Sequence, residues 1–332
     1  MVDAVLARRL SLSLIAHYVL SYIEQDPDGF LLRNLPAVLR DFLRHHGKAP
    51  MDAPVDFAAR RLLPIVQPRH LRCIGSDIIE VAPDVCLEVF RPAVGTPPAP
   101  VLLFVHGGVW TLGNRSQYRA LGQRLALEGV VGVIVGYQTW PAANASAQAR
   151  SIRVALAEAK LRESTWGGDP SRVYLSGQSS GANVSALALV GNASGGGVHC
   201  AGFIGMAGPY DIADHYAFES RRGVEKASMM ELACDPFAEH SPTLLVRERG
   251  ATLTCERTLL LHGEKDVTVP ASSSAHFALA LLAAGQQVTY VSLPTDTHMS
   301  FLLDMMLGRE CALLSHVKKF CDVRTGVAAA RL

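Results

Sequence analysis

One short stretch limits the folds open to this chain more than any other. Residues 173–185 read VYLSGQSSGANVS: a run of strand formers (Val173, Tyr174, Leu175), then Gly177-Gln178-Ser179-Ser180-Gly181, then small residues from 182 to about 190 that read as a helix. A strand that turns sharply into a helix at G-x-S-x-G holds its central residue in a strained backbone conformation, with the side chain presented at the sheet edge. Gly177 and Gly181 lack a Cβ, so strand and helix can approach closely. Ser179 then sits at the positive end of a helix, where developing negative charge is favoured. A Gly/Ser-rich turn without chemistry explains the pentapeptide alone but not its flanks, so Ser179 is the candidate nucleophile.

The rest of the domain repeats the same alternation. Residues 101–105 and 130–135 are continuous apolar runs, as buried parallel strands read. Residues 77–81 and 85–91 form a strand pair around Pro83-Asp84, and 201–206, 258–262 and 288–293 are further strands. Helical patterns cover 118–128, 145–161, 272–284 and 305–320; in the second, Ala149, Ile152, Leu156 and Ala159 share one face. Gly167-Gly168-Asp169-Pro170 reads as the turn into the Ser179 strand. The fold class is therefore α/β, a mostly parallel central sheet with helices on both faces. Between about 208 and 250 the alternation stops, and Tyr210, Tyr216, Phe218, Met229, Met230 and Phe237 lie among charges, the composition of a lid or binding loop. Residues 1–70 read as a helical N-terminal extension (pieces at 2–24, 32–45 and 55–63 between Pro-containing breaks), ahead of a domain over 71–325 that carries the 208–250 insertion.

Composition excludes several function classes. A hydrophobic content of 49% over 332 residues, with mean hydropathy +0.20, is that of a well-filled core. A net charge of +1 provides no electrostatic reason for nucleic-acid binding. Seven cysteines, an odd number with no C-x-x-C pair, argue against a disulfide framework or zinc site and for a reducing compartment; no cofactor or metal is expected. The adjacent His45 and His46 point in different directions on a helix and read as surface residues. The apolar run 10–23, after Arg8 and Arg9, is too short and too polar for a membrane span, so an amphipathic helix packed on the domain or lying peripherally on a membrane is expected. The expected location is the cytoplasm or the cytoplasmic face of a membrane. The N-x-S sequon at Asn183 falls inside the helix behind Ser179 and is read as chance.

A serine hydroxyl needs a base, normally a histidine oriented by a carboxylate, and on a strand–turn–helix the order is serine, acid, histidine. Downstream, Leu259-Leu260-Leu261-His262-Gly263 runs into a loop carrying Asp266, the candidate acid; Glu264 and Asp211 are the alternatives. The final strand runs into Thr295-Asp296-Thr297-His298, and His298 in that loop is the candidate base. His262, at a strand end, reads as a buried structural histidine. Early in the domain, His106-Gly107-Gly108-Val109-Trp110 follows a strand; backbone N–H groups of Gly108 and Val109, with that of Ser180, can face a developing oxyanion.

These motifs carry a resemblance. HGGVW at 106–110, GDPSRVYLSGQSSGANVSALAL at 168–189, LLLHGEKDVTVP at 259–270 and THMSFLLD at 297–304 resemble the α/β-hydrolase lipase/esterase group with an HGG motif, and most of all the isoprenylcysteine α-carbonyl methylesterases. The resemblance covers about residues 75 to 322. It implies a serine carboxylesterase that hydrolyses the methyl ester of a prenylated C-terminal cysteine with Ser179, Asp266 and His298 as triad, and it implies that Gly107, Gly108, Val109, Gln178, Ser179 and Ser180 bind the substrate carbonyl. A prenyl chain would need apolar lining, expected from Trp110, Tyr137, Trp140 and the 208–250 segment. The sequence departs from the family at Ser180, where alanine is usual, and in the N-terminal region, which lacks clear membrane helices. An arylformamidase and a general short-chain acyl esterase share the motifs and stand as alternatives, and a non-catalytic hydrolase-like binding protein is the reading from another class.

Overall fold

The apolar runs pair into one eight-stranded sheet. The computed structural model describes residues 74–93, 97–191, 197–221, 225 and 230–323; the extension expected over 1–70 and the run 10–23 lie outside them. The strands are β1 (Asp77–Ala82), β2 (Val85–Phe90), β3 (Ala99–Val105), β4 (Val131–Tyr137), β5 (Gly168–Gln178), β6 (Gly202–Met206), β7 (Thr258–Gly263) and β8 (Val288–Leu293). Their order is β1-β2-β4-β3-β5-β6-β7-β8; β1 and β2 pair antiparallel, as do β2 and β4, and the remainder is parallel.

Both faces of the sheet are covered, which is why β3 carries no polar residue. Val101, Leu103 and Val105 point into one core layer with Val133, Leu175, Ile152, Leu156 and Phe277. Leu102 and Phe104 point into the other with Ile134, Ile204, Leu125, Phe301 and Leu314. Helices α2 (Ala145–Arg162), α3 (Ser180–Leu189) and α7 (Ser272–Ala283) close the first layer, and α1 (Arg119–Leu127), α8 (Ser300–Met306) and α9 (Ala312–Phe320) the second. Full burial of a side chain such as Leu103 contributes about 2–3 kcal/mol.

Two elements differ from the sequence reading. β5 begins at Gly168, opposite Ala99, and its ladder then jumps to Val173 opposite Val101. The expected turn is therefore a bulge inside the strand, where Asp169 accepts from the Ser171 N–H at 3.0 Å and from Arg172 Nε at 2.8 Å. The closing helix expected over 305–320 is two helices, α8 and α9. Gly308, at φ +78°, ends the first in the left-handed conformation, and the buried Arg124 guanidinium holds its carbonyl at 2.6 Å. Apolar residues run through both pieces at helical spacing, which hides the break.

The described part of the 208–250 segment is helical: α4 (Ile212–Ser220), α5 (Met230–Ala233), a 3-10 turn (Phe237–His240) and α6 (Pro242–Arg249). Tyr210 anchors it, stacking on Phe277 of α7 at 4.3 Å while its backbone N–H donates to Ser273 Oγ. Among the described residues no helix is long and apolar enough to cross a membrane.

Helix α3 approaches the end of β3 backbone to backbone. A Cβ at Gly181 would lie 2.3 Å from the carbonyl oxygens of both Val105 and His106, and one at Gly177 would lie 2.4 Å from the Gly181 carbonyl. Backbone cannot step aside as a side chain can, so Gly181→Ala should cost about 3 kcal/mol or more and lower the melting temperature by roughly 6–12 °C. Gly75→Ala, with nothing within 4 Å of the added atom, should leave it unchanged. Thermal unfolding of the two variants beside the wild type reads both; equal melting temperatures would contradict the packing described.

Candidate active site

Register brings the candidate residues to one edge. Val105 at the end of β3 lies opposite Gly177 of β5, so the 106–112 loop and the Ser179 turn leave the sheet side by side. Gly263 at the end of β7 lies opposite Leu293 of β8, so the Asp266 and His298 loops leave it together as well.

Ser179 has φ 56° and ψ −129°, a conformation that costs a non-glycine residue about 1–3 kcal/mol. It is held there because its N–H donates to the Met206 carbonyl at 2.9 Å while its own carbonyl receives the N–H groups of Ala182 and Asn183 in the first turn of α3. Ser180 is the first residue of that helix, and a first-turn N–H has no partner within the helix.

Asp266 and His298 are joined. Asp266 Oδ2 accepts from His298 Nδ1 at 2.7 Å and from His262 Nε2 at 3.0 Å, and its Oδ1 accepts from the Thr268 and Val269 N–H groups at 2.8 and 2.9 Å. Burial pushes the Asp266 carboxyl up, but the charge of His298 and the hydrogen bonds from His262 and His298 outweigh it, and the carboxyl is held well below the usual range. His262 is fully buried, with Ser274 Oγ 2.7 Å from Nδ1, and so orients the carboxylate. The two loops are stitched by Glu264 N–H to Leu293 O at 2.9 Å and Lys265 N–H to Asp296 O at 3.0 Å. Gly263 permits this, since a Cβ there would lie 2.3 Å from Asp296 O. The alternative acids have other occupations: Glu264 is exposed and receives Ser292 Oγ, and Asp211 caps α4 through the Asp214 N–H. With the proton on Nδ1, His298 Nε2 accepts, and its neighbour is Gln178 Nε2 at 3.2 Å.

The 106–112 loop is wound tightly. Gly108 has φ +134°, Val109 and Trp110 have φ 48° and 61°, and the N–H groups of Thr111 and Leu112 return to the Gly108 carbonyl at 3.0 and 2.8 Å. A Cβ at Gly108 would lie 2.2 Å from Leu112 O, and one at Gly107 would lie 2.8 Å from Ser179 Cβ, so glycine is required at both. His106 is buried, which pushes its pKa down to about 4; it stacks on Tyr137 at 4.5 Å and lies 3.0 Å from the Gly107 carbonyl.

Of the expected substrate lining, Trp110 lies in the core. It is only 1% exposed, and its Nε1 donates to Asn183 Oδ1 at 3.1 Å. Tyr137 is half-buried and spends its hydroxyl on the His106 carbonyl at 2.7 Å, which steadies the loop. Trp140 is half-buried, with its N–H on the Trp110 carbonyl at 2.9 Å. The Gln178 side chain, expected near the substrate carbonyl, is buried and turned to His298.

Asn183 is the residue that sequence reasoning missed. Its Oδ1 holds Trp110, and its Nδ2 donates to Pro209 O at 3.1 Å and His240 O at 2.9 Å. One fully buried amide thus ties the 106–112 loop and the 208–250 segment to the helix behind Ser179. An amide one helical turn after Ser179, in a run of apolar and small residues, was the available signal.

Asn183→Ala leaves one indole donor and two carbonyls without their partner, so it should lose about 2–4 kcal/mol and roughly 5–12 °C in melting temperature; an unchanged melting curve would contradict the hub. Asp266 yields a pH prediction. Its folded pKa is depressed, so its contribution is complete above the unfolded carboxylate value of about 3.9 and is lost as pH falls through the folded value. The difference in urea midpoint between wild type and Asp266→Asn should be wide at pH 7 and shrink progressively below about pH 4. A pH-independent difference would contradict it.

Known proteins resemble this chain. The family described as alpha/beta hydrolase fold matches residues 102–302. A probable isoprenylcysteine alpha-carbonyl methylesterase of Arabidopsis thaliana is 28% identical over 247 residues, covering 70% of this chain; the chain spans 58% of that relative's length. Esterase LipC of Mycobacterium tuberculosis is 30% identical over 278 residues, covering 77% of this chain and 68% of the relative. The solved esterase of Pyrobaculum calidifontis superposes with a TM-score of 0.67 at 17% identity, over 86% of this chain and 99% of that one. With the family match spanning more than half its length and bracketing Ser179, Asp266 and His298, this chain belongs to the α/β-hydrolase fold family.

Proposed function

We propose that this protein is a serine carboxylic ester hydrolase in which Ser179 is the nucleophile, His298 the base and Asp266 the residue that fixes its tautomer. The observation that carries the reading is a strained, helix-terminal Ser179 at the same sheet edge as a histidine whose Nδ1 proton is held by a buried carboxylate. In the reaction Ser179 Oγ attacks the ester carbonyl, His298 Nε2 takes its proton and returns it to the leaving alcohol, and water repeats the sequence on the acyl-enzyme. The oxyanion is received by the N–H groups of Gly108, Val109 and Ser180, each worth about 3 kcal/mol in the transition state. Imidazolium formed in this step lies against Asp266, which its partners keep ionised.

The substrate class proposed is a prenylcysteine methyl ester. Its support is the resemblance at the four motifs and the relative named as a methylesterase of that class. With Trp110 in the core, the prenyl chain is lined by the remaining expected residues, Trp140 and the 208–250 helices. A short-chain acyl ester is the second reading, favoured by the similarity to an esterase without a prenyl substrate in its name.

The deciding experiment measures acid release from farnesylcysteine methyl ester and from p-nitrophenyl acetate, with Ser179→Ala beside the wild type. The variant should lose on the order of 10^4- to 10^6-fold in kcat on both. Turnover of the acetate alone would remove the prenyl substrate and leave the hydrolase; turnover surviving in Ser179→Ala would overturn the nucleophile.

A further inference from the structure

We infer that Gln178 is a positioning residue that occupies the base: its side-chain amide holds neutral His298 in the resting protein and must release it before Ser179 can be activated. This rests on the triad reading above. Because Asp266 Oδ2 receives the Nδ1 proton at 2.7 Å, a neutral His298 has a single lone pair, at Nε2. Gln178 Nε2 lies 3.2 Å from that nitrogen and 3.3 Å from the His298 backbone carbonyl, and an amide nitrogen has two protons, one for each. The opposite amide orientation would set an oxygen against a lone pair and a carbonyl at once, so the chemistry of the neighbours fixes it. The side chain has little freedom: Gln178 is 1% exposed, and its Oε1 rests over Gly107, where a Cβ would lie 2.7 Å away.

Ser179 needs the same lone pair. Donation by Gln178 therefore withholds that base, so the reactivity of Ser179 is reduced to the fraction of molecules in which the amide has let go. Asp266, with His262 behind it, touches His298, Asp296 lies in the same loop, and His106 lies against the Gly107 carbonyl. Asp266 and His106 keep one charge state across the assay range, the first ionised and the second neutral.

The test is the single-turnover reaction of Ser179 with a p-nitrophenyl dialkyl phosphate, followed by nitrophenolate release between about pH 5 and 9. The Oγ–P bond forms, the P–O bond to the aryl group breaks, nitrophenolate leaves with the electron pair, and the serine proton passes to His298. Gln178→Met keeps the bulk without the donor, and Gln178→Ala is the smaller second variant should the first not fold. The plateau rate at high pH should rise about 3- to 10-fold. A side chain that merely supports the fold would lower the plateau. A plateau that does not rise overturns the proposal. Stoichiometric nitrophenolate release by Ser179→Ala would instead overturn the triad reading beneath it.

Discussion

The constraint on which the site depends is the contact between backbone and backbone where α3 meets β3. Gly181 lies so close to the Val105 and His106 carbonyls that no side-chain atom fits, and Gly177 lies equally close to Gly181. Closing that gap forces the chain to turn from strand to helix over Gln178, Ser179 and Ser180, and Ser179 takes up the strain. The same closeness aligns the 106–112 loop with the start of α3, because both begin where β3 and β5 end in register. Core burial on both faces of β3 and β5 supplies the energy that keeps the turn in place.

The second half of the site is built by a different device. Asp266 and His298 sit on loops with no regular structure, and loops are usually the mobile part of a fold. Here two backbone hydrogen bonds stitch the loops together beside Gly263, and four donors converge on one carboxylate. Precision therefore comes from saturating a buried carboxylate, and His262 and Ser274 extend the same network into the core. Asn183 does for the 106–112 loop and the 208–250 helices what Asp266 does for the histidine loop: one buried polar group satisfies several segments at once.

Much of this was legible in the chain because strict physical requirements leave narrow residue choices. Continuous apolar runs announced the buried parallel strands, and the glycines at 177 and 181 announced a close approach of strand and helix that only glycine allows. The residues misread are those whose chemistry does not reveal direction. Trp110 has the composition of a pocket wall, yet its indole N–H is satisfied inside the core by a residue 73 positions away. Gln178 belongs to the same pentapeptide as Ser179, but only the fold shows that its amide meets a histidine 120 residues downstream. The break at Gly308 was hidden because apolar helical spacing continues across it, and the bulge at 169–172 because Gly167-Gly168-Asp169-Pro170 has the chemistry of a turn.

The central claim is that Ser179 is the atom-donating nucleophile of this edge. The most direct measurement is peptide mass spectrometry after exposure to one equivalent of a p-nitrophenyl dialkyl phosphate, locating the covalent adduct at residue level. One phosphoryl group on Ser179, and none on its neighbour Ser180, is the expected result. An adduct on Ser180 or on another side chain, with Ser179 unmodified, would contradict it.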